Sequence, residues 1–453
     1  MKKLLILNFI LLFAGYSFSQ NIRGEVLDIK TSEPIEGVNV YVKTNEEGTF
    51  TDKRGKYVLK LKSRLNKNDL VYFSHVGFVL KSFTYNELKD KEFSIKLNLD
   101  KIKLDEINVV ASYKFKPKIN FQKLASMENG IHSFGSTLVN GKIYVQGGDA
   151  SNEVDAFKKI INDYPELSFK ELVEKTKSLY SRESYKGDLY IYEISLNKWR
   201  SEDVKFRKRA YHNIIYNDNK IYVLGGKRLS KSRNFEYLDD KIEIYSLNNK
   251  KVTIDNTNPH QAVNFESFIY NRNLIVLGGS VKKKKNGKKI YSADVHVNDL
   301  ETGLWYKMAN IPVPKETKGV LVDNKIYLFG GYNERPLTGI ESYDLFTGKW
   351  NNVGDIFEGL KEPAITHHNE IVYLFEAGKI LTYHLKTGEL KQYAIGLFLD
   401  ASRLHYANNK LYIIGGLISD DYSETPSTDI FSIDLKEFKI SRVYRSKFLK
   451  GSI

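Results

Sequence analysis

Ile326-Tyr327-Leu328-Phe329-Gly330-Gly331, with Tyr343 further on and Trp350 seven positions after that tyrosine, is the stretch that decides how this chain is read. An apolar strand runs into two glycines, and an aromatic pair follows at a fixed spacing. The same unit recurs at Ile143-Tyr144-Val145-Gln146-Gly147-Gly148, Ile221-Tyr222-Val223-Leu224-Gly225-Gly226, Leu274-Ile275-Val276-Leu277-Gly278-Gly279 and Leu411-Tyr412-Ile413-Ile414-Gly415-Gly416. A sixth copy, Val372-Tyr373-Leu374-Phe375-Glu376-Ala377, has lost its glycines. The downstream pairs are Tyr192 and Trp199, Tyr245 and Val252, Asn298 and Trp305, Tyr383 and Leu390, and Ile433 and Ile440. All three tryptophans of the chain fall on this one position.

A strand-built repeat of about 40 to 50 residues, six times over, is the pattern of a β-propeller, in which four-stranded blades bury their faces against one another. Glycine lets the backbone turn sharply and approach closely where a strand ends, and large aromatics fill the wedge between blades. The tryptophans are therefore expected to be buried between blades. Glu376-Ala377 and Asn298 mark the fifth and third blades as places of local irregularity. The diglycine, tyrosine and tryptophan together resemble the kelch family, over about His132 to Arg445. The expected fold is all-β, a six-bladed kelch-type propeller spanning 131–446 and preceded by a small β-sandwich. The last blade has sequence for all four of its strands, the fourth running through Lys439 to Tyr444, so it needs no strand from the N-terminal side.

That sandwich occupies 21–111. Runs such as Arg23 to Asp28, Pro34 to Val42, Thr49 to Leu59, Leu70 to Val79 and Glu92 to Leu97 alternate and are separated by turns. Their order resembles the carboxypeptidase-regulatory-like domain at the N-terminus of many outer-membrane transport receptors of Bacteroidetes. The tail Leu104 to Ala111 is similar to the segment that leads into plug and barrel in those receptors. No barrel follows, so the resemblance implies an envelope protein with a docking or spacer module and does not carry transport. Residues 112–130, Lys-rich and containing Pro117, suit either a short linker or a strand added to the propeller edge.

Lys2 and Lys3 precede the apolar run Leu4 to Ala14, with Ser17 and Ser19 where a signal peptidase reads, so residues 1–20 are a secretory signal peptide. The run falls short of the roughly 20 apolar residues of a membrane span, and no later stretch could cross a bilayer. With no cysteine there is no disulfide, thiolate metal site, cysteine nucleophile or lipidated N-terminal cysteine. A periplasmic or outer-membrane-associated protein that is not a lipoprotein is expected, all the more since only nine residues follow Tyr444. The net charge of +14 suits anionic carbohydrate, lipid headgroups or simply a solvated surface. Nucleic acid is excluded by the compartment and by the lack of any base-reading module.

Turns within blades are tight, as at Asn140-Gly141, Asp323-Asn324 and Thr347-Gly348, whereas connections after the glycine pairs are long. All the long ones emerge around one mouth of the central channel. The first carries an insertion at about 152–182, where Phe157, Ile160, Ile161, Phe169, Leu172 and Val173 fall at helical spacing, either a lid or a packed rim. Lys282 to Lys285, Lys288 and Lys289 form a basic hairpin tip, either solvated or polyanion-binding. Residues near the start of the innermost strands supply the candidate channel lining: His132, Arg209, His212, Glu266, Lys318, Glu362, Arg403 and His405. Such a ring either binds a carboxylate or sugar acid or hydrates a water-filled tunnel. No cofactor or metal is called for. Galactose oxidase shares the propeller but needs a cross-linked cysteine, which is missing here. Sialic acid epimerases of the bacterial periplasm resemble the chain in repeat number and compartment, and Arg209, Glu266, Glu362 and Arg403 would be the acid-base candidates. Fold alone confers no activity. The function read from the sequence is a non-catalytic envelope binding or scaffolding protein using the long-loop face, its partner an envelope protein, a transport receptor or an anionic carbohydrate. The alternative is a periplasmic carbohydrate-active enzyme of the epimerase or lyase type.

Overall fold

The computed structural model describes residues 20–42, 47–75, 77–99, 115–176, 184–232, 235–283 and 287–449. Residues 1–19 of the expected signal peptide, the tail Leu104 to Ala111, Lys284, Lys285 and the end of the 152–182 insertion lie outside the described residues. The chain divides into two compact units, one holding residues up to 115 together with 387–392 and 442–450, the other holding 116–386 and 393–441.

In the first unit, two sheets form a sandwich: Lys56–Leu61, Gln20–Asp28 and Ser94–Leu97 in one, and Glu47–Phe50, Asn39–Val42, Leu70–Ser74 and Lys81–Thr84 in the other. Strict alternation along Lys56–Leu61 turns Tyr57, Leu59 and Leu61 inward, where they meet Val26, Val40 and Phe73. Thr84 and Glu87 make reciprocal caps on the helix Tyr85–Asp90, whose Leu88 plugs the core. Glu389 to Gln392 pairs with Arg445–Phe448 in this unit, Phe448 stacks on Tyr41 with ring centres 5.0 Å apart, and Asn39 Nδ2 donates to Ser446 Oγ at 3.1 Å.

The second unit is the propeller. Its innermost strands, Gly135–Val139, Asn213–Asn217, Glu266–Tyr270, Gly319–Val322, Ala364–His368 and Arg403–Ala407, neighbour one another in a closed cycle of six. Each pairs outward with the apolar strand of the repeat, which ends in a glycine pair in every blade but the fifth. Those second strands are buried on both faces between neighbouring blades, which is why Ile221 to Leu224 and Leu274 to Leu277 read as unbroken apolar runs. The seven-residue spacing is the hairpin of the third and fourth strands, and it sets Tyr192 opposite Trp199, Tyr245 opposite Val252, Asn298 opposite Trp305 and Tyr343 opposite Trp350. Asn298 keeps that register, with its side-chain amide donating to Gly303 O at 3.2 Å inside the turn, so the third blade is regular.

The glycine pairs join the blades. The second glycine of each donates its N–H to the backbone carbonyl that precedes the next blade: Gly148 to Arg209, Gly226 to Ala262, Gly279 to Lys315, Gly331 to Leu360 and Gly416 to Ile131, all within 2.7 to 3.1 Å. In the fifth blade Ala377 donates to Leu399 O at 3.2 Å and completes the cycle. Ala377 and Gly378 take positive φ there, so the pair of left-handed residues has moved along by one position, with alanine in its first place. Close approach explains the residue type, because a Cβ on Gly331 (φ 103°) would lie 2.3 Å from Glu316 O.

Closure departs from the sequence reading. The fourth strand of the sixth blade is Gln122–Lys123, which pairs with Phe431 and Ser432, while Glu437–Ile440 is a short helix. The apolar pair Ile433 and Ile440 imitates the hairpin spacing, but Ile440 sits in that helix. The junction 115–130 is therefore the added edge strand and not a loose linker; it is held by Lys123 Nζ on Asp429 (2.8 Å) and by Lys116 Nζ on Glu437 (2.8 Å). The tryptophans are half-buried and not buried, since they stand on the outermost strands. Each indole N–H nonetheless reaches the segment that follows the preceding blade's last strand: Trp305 to Thr257 Oγ1 (3.1 Å), Trp350 to Ala309 O (3.5 Å) and Trp199 to Ala125 O (2.7 Å). Ala125 thus occupies, after the N-terminal strand, the place that Ala309 occupies after a blade's own fourth strand.

Two outcomes test this arrangement. Gly303 has a positive φ with nothing within 4 Å of a built Cβ, so Gly303→Ala should cost about 1 kcal/mol, whereas Gly331→Ala, with its backbone clash, should cost more than about 2 kcal/mol in urea unfolding. A chain beginning at His132 should melt below one beginning at Lys116, because it lacks the closing strand; equal melting temperatures would refute the closure.

Candidate functional site in the central channel

Register decides which side chains reach the channel. The residue opposite the position just before each glycine pair is Gly135, Asn213, Glu266, Lys318, Ala364 or Arg403, one per blade. Beside five of them, all but Gly135, lies a cavity of about 170 Å³, lined also by Ser136, Pro363, Ile365 and His405. Of the eight sequence candidates, Glu266, Lys318, Arg403 and His405 line it. Glu362 stands just behind, its Oε1 4.0 Å from Lys318 Nζ and 3.6 Å from Arg403 Nη1.

The other three are placed elsewhere. Arg209 is wholly buried in the second blade, where its guanidinium meets Glu243 at 2.6 Å and Asp239 at 3.4 Å and donates to Gly225 O at 3.2 Å. Its charge is spent on structure. Lys315 fills the same slot in the fourth blade, with Glu341 at 2.6 Å and Gly330 O at 3.0 Å. In the third, His260 bonds Gly278 O at 2.8 Å and His296 Nδ1 at 2.9 Å. His212 is packed against Gly135 and Gly147, without a hydrogen-bond partner for either ring nitrogen. His132 faces Ser133 Oγ at 3.0 Å and Asp149 Oδ2 at 3.7 Å, under Tyr211. Asp149 in turn accepts from the Tyr211 hydroxyl at 3.1 Å.

Sequence reasoning missed Ser136 and Asn213. Ser136 Oγ bonds His405 Nε2 at 2.8 Å, and Asn213 Nδ2 donates to Glu266 Oε1 at 2.6 Å. Counting back across the tight turn from each glycine pair would have found Asn213, while counting from the start of the strand admitted Arg209 and His212.

Burial governs the electrostatics. It pushes His405 down to about 4, with the Arg403 charge adding to the effect, and holds His212 well below the usual imidazole range. His260 is likewise pushed down to about 4 by burial. Lys318 is lowered by burial and then by Arg403. Glu376, which accepts from the N–H groups of Lys361 (3.0 Å) and Glu362 (2.9 Å), is raised by burial. It grips the backbone of Glu362 and so positions that carboxylate between the two cations. The arrangement can present two cationic donors to an anion. Among the described residues no cluster of three His, Asp or Glu is placed to hold a metal ion.

The depressed histidines set an acid limit. Between about pH 4 and 6.5 the unfolded chain binds protons that folded His260 and His405 refuse, so stability is full above 6.5 and falls as the pH drops toward 4. The loss should amount to a few kcal/mol in all, because each tenfold drop in proton affinity is worth about 1.4 kcal/mol. Thermal melts of wild type and of His260→Asn/His405→Asn across this range check it: the variant should show a shallower decline.

Comparison with known proteins agrees with this architecture. The KLHDC2/KLHL20/DRC7 Kelch-repeats domain matches residues 175–376, and the CarboxypepD_reg-like domain matches residues 22–109. Beta-scruin of Limulus polyphemus is 22% identical over 281 residues, which is 54% of this chain and 29% of that protein. Kelch-like protein 38 of Homo sapiens is 23% identical over 239 residues, 51% of this chain and 39% of its own length. The chain thus spans well under half the length of these relatives. The solved structure of YjhT superimposes with a TM-score of 0.52 at 14% identity, covering 72% of this chain and 99% of that one, a likeness of fold. No described helix is long and apolar enough to cross a membrane. The chain carries a Kelch-repeat β-propeller domain and, ahead of it, a CarboxypepD_reg-like domain.

Proposed function

We propose that this protein is a binding or scaffolding component of a bacterial cell envelope, of Bacteroidetes type, which engages a protein partner through the long-loop face of its propeller. Kelch propellers commonly serve protein interaction, and the observation that carries the reading here is the unequal finish of the two faces. The connections after the glycine pairs are structured: hairpins at Lys227–Leu229 with Glu236–Leu238 and at Ser280–Lys283 with Lys289–Tyr291, and helices Ala156–Asp163 and Phe169–Thr176. They expose apolar groups together. Phe157 and Ile161 share one helix face, 45% and 43% exposed, while Ile160 faces inward; Phe235 and Tyr237 stand on one hairpin. On the tight-turn face Leu196 and Phe346 are exposed singly, on different blades, and Leu304 is exposed with Tyr306 near it on the outer strand of the third blade.

The insertion is anchored. Glu153–Val154 pairs with the sixth blade's loop at Glu424 and Ser423, and Lys158 Nζ donates to Asp421 O at 2.9 Å. Structured loops that present apolar groups suit a lasting interface better than a mobile lid. Placement in the envelope rests on the sequence: the leader at Lys2 to Ser19, and the similarity of 22–109 to the regulatory-like domain.

A second reading, a carbohydrate-active enzyme of the epimerase or lyase type, is favoured by the charged groups that meet in the channel, and turnover of sugar acids by the purified protein would establish it. For the binding reading, cross-linking in the native host should yield a partner joined to residues 153–176, 227–238 or 280–291. Phe157→Ser/Ile161→Ser and Phe235→Ser/Tyr237→Ser should each reduce that yield at least about tenfold with melting unchanged. Cross-links confined to the tight turns, or a chain recovered uncleaved from the cytosol, would overturn it.

A further inference from the structure

Among the described residues, the deeply buried cations of this propeller are paired closely, with one exception. Arg209 and Lys315 each hold a carboxylate at 2.6 Å. Lys318 is as deeply placed, 6% exposed, yet its nearest carboxylate oxygen, Glu362 Oε1, lies 4.0 Å away, beyond hydrogen-bond reach. Arg403, facing the same cavity, has Ser402 O at 3.4 Å and Glu362 at 3.6 Å, and its guanidinium lies 5.8 Å from the Phe134 ring centre. Glu362 Oε1 is itself buried without a hydrogen-bond partner. Leaving such groups unsatisfied costs free energy that a closer rotamer or an apolar residue would avoid.

This site coincides with the one irregular blade. Ser133, Tyr211, Asn264 and Thr317 are linked in series by backbone bonds, from Thr317 N to Asn264 O, Asn264 N to Tyr211 O and Tyr211 N to Ser133 O, and Ser133 N continues to Ala401 O. Glu362 occupies the gap left in that inner series, fixed from behind by Glu376 at the position where other blades have glycine. The departure from the repeat delivers a carboxylate that stands between two cations, 4.0 Å from one and 3.6 Å from the other, at the edge of the cavity they line.

We propose that the cavity is a binding site for the carboxylate of a small organic acid, held by Lys318 Nζ and the Arg403 guanidinium. A carboxylate accepts from both at once, and arginine suits its two-point geometry. Glu266 anchors Asn213 and Ser267 through Oε1 alone, so its second oxygen can accept from a hydroxyl on the same ligand. About 170 Å³ is the space of five or six waters at about 30 Å³ each. That admits a three-carbon hydroxy acid whole, or the acid end of a sugar acid. The inference is independent of the partner on the loop face.

Calorimetric titration of the full chain with lactate, glucuronate and glucose at neutral pH tests it. The acids should bind and glucose should not. Binding of lactate would identify a free small acid as sufficient; binding of glucuronate alone would identify the carboxylate of a sugar acid. Lys318→Met and Arg403→Gln should each weaken the acid at least about tenfold, and Lys318→Met, relieved of an unpaired buried charge, should melt higher than wild type without ligand. Should either variant fail to fold, the wild-type titration still decides. No binding of either acid at millimolar concentration, or equal binding by both folded variants, would overturn the proposal.

Discussion

Six backbone hydrogen bonds, each running from the end of one blade's second strand to the segment that opens the next, hold this propeller in a ring. They demand that two backbones meet where a side chain would intrude, and five glycine pairs at positive φ meet the demand. Much else follows from that contact. It fixes the start of every inner strand, hence which residue per blade faces the channel, and it throws the following connection outward around one mouth. The tight turns on the other face have no such freedom, being two-residue reversals at left-handed Asn and Asp.

The ring also explains how charge is used. Beside the glycine carbonyls at Gly225, Gly278 and Gly330 the chain places Arg209, His260 and Lys315, each partnered from the third strand by Glu243, His296 or Glu341. These are buried polar sockets that satisfy a carbonyl left over by the sharp turn. Breaking any one of them would strand a charge or a donor in the blade. Lys318 and Arg403 do not belong to this set, which is why their loose pairing points to a ligand and not to the fold.

How far the sequence could be read depended on locality. The strand, glycine pair and seven-residue hairpin are encoded within one blade, so six blades and their register were legible. Closure was not: Gln122–Lys123 is too short to carry a pattern, and Ile433 with Ile440 mimicked one. Trp350 looked like core because of its size, yet its position in the outermost strand leaves one side to solvent. Arg209 and Glu362 were indistinguishable in sequence, both charged residues just before an inner strand. What separates them is the partner, a close Glu243 in one case and the looser Lys318 and Arg403 in the other, and partners lie tens of residues away. His405 lines the cavity together with Arg403 because alternation along the strand keeps both on one face.

The ring and its seam are tested most directly by amide hydrogen exchange at the joining residues. If a closed cycle holds the blades, the N–H groups of Gly148, Gly226, Gly279, Gly331, Ala377 and Gly416 share one high protection and exchange only when the whole propeller opens. Exchange of Gly416 at loop rates, with the other five still protected, would show that the ring is open between the sixth and first blades and would contradict the account.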